Sequence, residues 1–254
     1  MYSSTRITQV KAHNQLMTEL YPQEIKYSIA NSTIYGANAI FPQVQLRATS
    51  TIKQELWTSS TTEAVTQLYQ AYPHAKIATL NFADYEQTAG GYLNGALAQE
   101  EAVCFDSTLY QVLKHFDNYY AWNRQHLNNY LYLDRALYSP KIIFHQNSYL
   151  ATADVITCAA PFYRKSSQLG IDYDDALLAI AQRMAFVKEL AETEKVDYLV
   201  LGAWGAGVFG FHSLDVAKLW KTTFSKNSTI KKVIYAVIPS RNNQAVDNFR
   251  KIFS

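Results

Sequence analysis

From about residue 75 onward, short apolar runs alternate with longer stretches in which apolar positions recur every three or four residues. That alternation predicts buried strands separated by amphipathic helices. The predicted strands are AKIATLNFA (Ala75–Ala83), KIIFHQ (Lys141–Gln146), DVITCAA (Asp154–Ala160), DYLVLGAW (Asp197–Trp204) and KKVIYAVIP (Lys231–Pro239). Tyr173–Glu194 is predicted as a helix because Leu177, Ile180, Ala181, Met184, Val187 and Leu190 share one face. Phe211–Phe224 and the proline-free stretch Ala96–Phe116 are predicted as helices too, and so is Thr61–Tyr72, whose hydroxyls before Glu63 read as a cap. The rest of the first 70 residues is less regular. Strands rich in Val, Ile and Leu between helices imply an α/β fold, with a mostly parallel or mixed sheet covered on both faces. No internal repeat, low-complexity run or linker divides the chain. The expectation is one domain over residues 1–254, with about 1–72 an N-terminal, partly helical extension and about 73–254 the α/β core.

Composition narrows the class. With 48% hydrophobic and 17% charged residues and a formal charge of +2, the chain is neither a disordered tail nor a strongly basic nucleic-acid coat. Two cysteines, Cys104 and Cys158, make no disulfide framework, and no Cys/His spacing fits zinc, so no metal is expected. The N-terminus lacks an apolar leader, and no stretch approaches the roughly 20 apolar residues of a membrane span. A soluble, cytoplasmic protein with no membrane partner is expected.

Glycine is the informative residue. Seven of the nine glycines fall in TAGGYLNGALAQEE (Gly90, Gly91, Gly95) and LGAWGAGVFG (Gly202, Gly205, Gly207, Gly210). Each stretch follows a predicted strand, where ligands of open α/β sheets bind, so the two could converge on one ligand. Gly205-Ala206-Gly207-Val208-Phe209-Gly210 matches the dinucleotide fingerprint literally. However, no acid closes the next strand, which ends at Ile238-Pro239-Ser240, and too little chain follows for a dinucleotide fold. Two possibilities remain: a backbone cradle for a diphosphate, or a tight turn that packs strand on helix. The first loop leads into Gln99-Glu100-Glu101. Adjacent helical residues diverge by about 100°, so the two carboxylates would line one edge of a cleft rather than face each other across it. Alternatively they only complement the helix dipole.

The stretch TAGGYLNGALAQEEAVC resembles the GGG…QEE signature of the microbial-type poly(ADP-ribose) glycohydrolases, and LGAWGAGVFG resembles their diphosphate-binding loop. LNFAD, SPKIIFHQ and VITCAAP extend the resemblance over about residues 25 to 240. It implies a macrodomain-like three-layer α/β/α sandwich with a mixed sheet and helical N-terminal elements. It also implies binding of ADP-ribose and hydrolysis of the ribose–ribose bonds of poly(ADP-ribose). Carried over by position, Glu101 would be the catalytic acid/base, Glu100 would hold ribose hydroxyls and Gln99 would support the loop. Gly90 and Gly91 would bind substrate, and Gly205, Ala206, Gly207, Val208 and Gly210 would hold the diphosphate. Phe209 would pack beside the distal ribose, with Asn81 and Asp84 approaching the ribose. The partners implied are ADP-ribose and poly(ADP-ribose) or an ADP-ribosylated protein, with no direct nucleic acid. A monomer in the DNA damage response, needing no cofactor, is the picture that results. The chain departs from the family pattern where Thr88-Ala89-Gly90-Gly91 replaces Pro-Gly-Gly-Gly, and where Phe211 follows the second loop. A rival reading is a module that binds ADP-ribose or a related nucleotide signal without turnover. The scattered histidines and Cys104 read as structural, and the tyrosines of residues 116–138 as packing or as a stacking surface.

Overall fold

A computed structural model describes residues 4–42, 52–225, 228–240 and 243–254. In chain order its elements are α1 (Ser4–Leu20), α2 (Pro22–Asn31), β1 (Thr33–Tyr35), β2 (Lys53–Trp57), α3 (Thr61–Ala71), β3 (Ile77–Phe82), α4 (Gln99–Phe105), α5 (Leu109–Leu113) and α6 (Asp117–Gln125). There follow β4 (Ala136–His145), β5 (Tyr149–Cys158), α7 (Tyr163–Ser166), α8 (Tyr173–Thr193), β6 (Tyr198–Leu201), α9 (Ser213–Thr223), β7 (Lys232–Ala236) and α10 (Gln244–Phe253). The strands form one seven-stranded sheet in the order β1-β4-β5-β3-β6-β7-β2. The pairs β1/β4 and β4/β5 are antiparallel and the others parallel, so the sheet is mixed, as expected.

Alternation along the strands splits the core into two layers. Leu199 and Leu201 of β6, with Val233 and Tyr235 of β7, face Ile180, Met184 and Val187 of α8 and Trp220 of α9. Tyr198 and Val200, with Ile234 and Ala236, face the other way, toward Val10, Val65, Leu68 and Val112 on α1, α3 and α5. The result is the three-layer α/β/α arrangement.

The cap signal before Glu63 is borne out. Ser60 Oγ accepts the Glu63 N–H at 3.2 Å and Glu63 Oε2 accepts the Ser60 N–H at 2.7 Å, a reciprocal capping box that starts α3. Three expectations are corrected. First, the single helix over Ala96–Phe116 is two, broken at Asp106–Thr108. There the chain pairs with β4 instead of with itself: the Thr108 N–H donates to the Ile143 carbonyl (2.9 Å) and the His145 N–H to the Asp106 carbonyl (2.8 Å). Periodicity cannot register a partner that lies elsewhere in the sequence. Second, the strands predicted from Lys141 and Asp154 begin earlier, at Ala136 and Tyr149, because they pair as a hairpin whose ladder recruits residues of weak strand pattern. Third, the irregular N-terminal stretch holds α1 and α2 as well as both edge strands. Helix α1 buries only Val10 and Met17, so it shows no apolar stripe, and β1 is three residues long. Helices α6, α7 and α10 also lie outside the predicted elements. No described helix is long and apolar enough to cross a membrane, and among the described residues no cluster of His, Cys, Asp or Glu could hold a metal ion.

Candidate active site

Strands β3 and β6 are parallel neighbours, so the glycine loops that follow them emerge side by side at one end of the sheet. Between them lies a cavity of about 260 Å3, lined by Ala98 and Gln99 from the first loop and by Gly205, Ala206, Val208 and Phe209 from the second. The convergence expected from strand position is thus found. A larger cavity of about 330 Å3, against Asp134, Asp175 and Arg183, contains none of the predicted site residues.

Each polar group of the first loop has a distinct task. Gln99 Oε1 accepts the Phe82 N–H at 2.8 Å, while its Nε2 donates to the Leu80 carbonyl (3.0 Å) and to Thr61 Oγ1 (3.1 Å). The side chain thereby ties the start of α4 to the end of β3. Asp84 Oδ1 accepts the N–H groups of Glu86 (2.7 Å) and Gln87 (2.8 Å), building the turn that opens the loop. Asn81 is fully buried, and its Nδ2 donates to Glu100 Oε1 at 2.9 Å. The other oxygen of Glu100 accepts the Asp84 N–H at 2.8 Å. Asn81 and Asp84, assigned from sequence to the ribose, therefore contact Glu100 and the loop backbone respectively.

The glutamates converge on one point. Glu101 Oε1 accepts the Gly91 N–H at 2.9 Å and its Oε2 the Ala98 N–H at 3.1 Å, so the side chain folds back over the loop instead of projecting from the helix. Gly90, at φ +53°, lies against both acids: a Cβ built there would sit 2.8 Å from Glu101 Oε1 and 3.0 Å from Glu100 Oε2. Any side chain at this position would collide with the two carboxyl groups. Glu100 is 2% exposed and Glu101 is 7% exposed. Burial pushes the Glu100 carboxyl well above the usual carboxylate range, and the charges of Asp84 and Glu101 act in the same direction. The hydrogen bonds from the Asp84 N–H and Asn81 oppose this without overcoming it.

The departure at Ala89 leaves the left-handed backbone intact: Ala89 has φ +58° and is fully buried. Phe211, the other departure, is a core residue in contact with Tyr163 and Tyr173. In the second loop the Phe211 N–H donates to the Gly205 carbonyl (3.2 Å) and the Gly210 N–H to that of Gly207 (3.2 Å), while Val208 is exposed.

A third segment was missed. Strand β5 flanks β3 on its other side, and the residues after it reach the same end of the sheet. Phe162 stacks on Phe209, with ring centroids 4.6 Å apart and an interplanar angle of 15°. Arg164 donates to the second loop through its backbone and its side chain. The available signal was position: PFYRK directly follows the predicted strand DVITCAA.

Residues 5–147 match the family described as microbial-type PARG, catalytic domain. Solved structures resemble the chain along nearly its whole length. Poly(ADP-ribose) glycohydrolase from Thermomonospora curvata aligns with a TM-score of 0.88 at 23% identity, covering 99% of this chain and 100% of that one. The same enzyme bound to the inhibitor ADP-HPD aligns with a TM-score of 0.85 at 22% identity, over 98% and 99% of the two chains. Poly(ADP-ribose) glycohydrolase from Deinococcus radiodurans in complex with ADP-ribose gives a TM-score of 0.80 at 25% identity, over 91% and 97%. No curated protein matches the chain in sequence.

Proposed function

The chain belongs to the family of microbial-type poly(ADP-ribose) glycohydrolase catalytic domains, and from that premise we propose that its two glycine loops bind ADP-ribose and that Glu101 drives hydrolysis of the ribose–ribose bond. The enzyme is a glycosidase. The observation that carries the residue assignment is the convergence of Glu100 and Glu101 on Gly90, directly after Ala98 and Gln99, which line the cavity between the loops. With no Cβ at position 90 the loop backbone packs directly on both carboxyl groups, and Ala98 and Gln99 of the same loop line the cavity that receives the ribose. Glu101 protonates the leaving ribose oxygen as the sugar takes on oxocarbenium character, then receives a proton from the attacking water. Glu100 keeps its proton at pH values where an ordinary carboxylate has lost it, and accepts or donates hydrogen bonds at the ribose hydroxyls without adding a second negative charge. Gln99, Asn81 and Asp84 act through these two: they hold the start of α4, the Glu100 carboxyl and the loop backbone.

The diphosphate lies against Gly205 to Gly210, where the N–H groups of Val208 and Phe209 make no hydrogen bond among the described residues. Phe209, held flat by Phe162, supplies an apolar wall for the distal ribose. The substrate is poly(ADP-ribose) or an ADP-ribosylated protein, and the chain acts as one monomeric domain in the cytoplasm, in the DNA damage response.

Release of free ADP-ribose from a poly(ADP-ribosyl)ated protein tests the assignment. Wild type is expected to release it. Glu101→Gln is expected to lose at least about 100-fold in turnover while calorimetry shows ADP-ribose still bound. ADP-ribose binding without release by the wild type would favour the non-catalytic binding module, and near-normal turnover by Glu101→Gln would remove Glu101 from the chemistry.

A further inference from the structure

Helix α7 begins where β5 ends and its first turn lies flush on the second glycine loop. The Arg164 N–H donates to the Phe209 carbonyl at 3.0 Å, and Arg164 Nη2 donates to the Gly207 carbonyl at 3.0 Å. The contact is close enough to require glycine: at Gly210, with φ +100°, a Cβ would lie 3.1 Å from the Arg164 nitrogen. One arginine therefore holds both ends of the turn that carries Val208. Its guanidinium has five N–H donors, of which the loop uses one. Arg164 is exposed and has no acidic partner among the described residues, whereas its neighbour Lys165 faces Glu86 at 3.9 Å.

The charge balance of the cleft gives that free guanidinium a task. Residues 202–211 carry no charged side chain, and the opposite loop presents the acids Asp84, Glu86 and Glu101 beside the protonated Glu100. A diphosphate brings two further negative charges into this surrounding. Unpartnered backbone N–H groups supply hydrogen bonds but no net charge. We infer that Arg164 is the cation that neutralises the ligand's diphosphate on the second loop, and that it fixes the loop in the conformation that receives it. The inference rests on the ADP-ribose reading of the site. Arginine suits both tasks because its planar fork can bond a carbonyl and a phosphate oxygen together, which a lysine ammonium at the same distance cannot do with the same geometry.

The test is calorimetry with ADP-ribose on wild type, Arg164→Gln and Arg164→Lys at about 0.02 M and about 0.5 M salt, with steady-state kinetics on a poly(ADP-ribosyl)ated protein. Arg164→Gln should weaken ADP-ribose binding about tenfold at low salt and less at high salt, raising KM while leaving kcat within about twofold. Arg164→Lys should restore the salt dependence but only part of the affinity, because the charge returns without the fork. Unchanged affinity in Arg164→Gln would overturn the inference. So would a loss that is equal at both salt concentrations and the same in both variants, since that pattern belongs to a loop support with no charge role. A wild type that fails to bind ADP-ribose would refute the reading of the site itself, a result distinct from either.

Discussion

The two adjacent glutamates are chemically identical but sit in opposite situations. Glu100 is buried with its carboxyl shifted upward, so its folded form holds a proton that the unfolded chain releases near pH 4.3. The sign of the linkage follows: stability falls as pH rises above that value, until the folded group itself titrates. Glu100→Gln removes this penalty. It also keeps its bond to Asn81, because the unpartnered Asn81 Oδ1 can turn to accept the new amide. Glu101 is different, for both its oxygens accept backbone N–H groups, and an amide can accept only one of them. Glu100→Gln should raise the melting temperature at pH 7.5, by less and less as the pH approaches 4. Glu101→Gln should lower it, by an amount corresponding to about 1 kcal/mol for the lost bond. Scanning calorimetry across pH reads both, and opposite signs for neighbouring positions are the expected result.

At the scale of elements, the site depends on where helices start. Helix α4 begins at Gln99 because Glu101 reaches back to the Ala98 N–H and Gln99 bonds the end of β3. Gln99 also donates to Thr61 Oγ1, in the first turn of α3, so the capping box of Ser60 and Glu63 supports the start of α4 indirectly. Ser60→Ala should cost about 1 kcal/mol and lower the melting temperature by about 2–4 °C, as expected for a lost N-cap in a chain of this size. Turnover should fall by less than the loss seen in Glu101→Gln, because Gln99 keeps its two bonds to β3.

Across the whole molecule, helix α1 is fastened to the turn between α4 and α5, in its own layer, by a histidine. His13 Nε2 bonds the Ser107 carbonyl at 3.1 Å and its ring stacks on Phe105. Burial holds the His13 pKa below its usual value; Asp106 opposes this and His145, itself lowered by burial, adds to it. A histidine kept neutral in the fold contributes stability above about pH 6.5, and this is lost as pH falls, because the unfolded chain takes up the proton first. Between pH 7.5 and pH 5.5 this opposes the gain from Glu100, so the melting temperature of His13→Gln should improve relative to wild type as the pH falls, which thermal melts of both proteins at the two values will show.

The residues of the candidate site were legible in the sequence because backbone chemistry marks them locally: glycines gathered in two short stretches, each after an apolar run, and two acids at a helix start. The α/β class was legible for the same reason, since strand and helix periods are local properties. What remained hidden depended on partners distant along the chain. The break between α4 and α5 exists because Asp106–Thr108 pairs with β4, and α1 carries no stripe because it buries only two side chains. Only the packed sheet, by placing β5, β3 and β6 side by side, decided that Asn81 serves Glu100, that both glutamates turn toward Gly90, and that Arg164 reaches the second loop. A sequence specifies which groups are present and their local period, whereas the distance between groups on different strands is set by the order in which those strands pair.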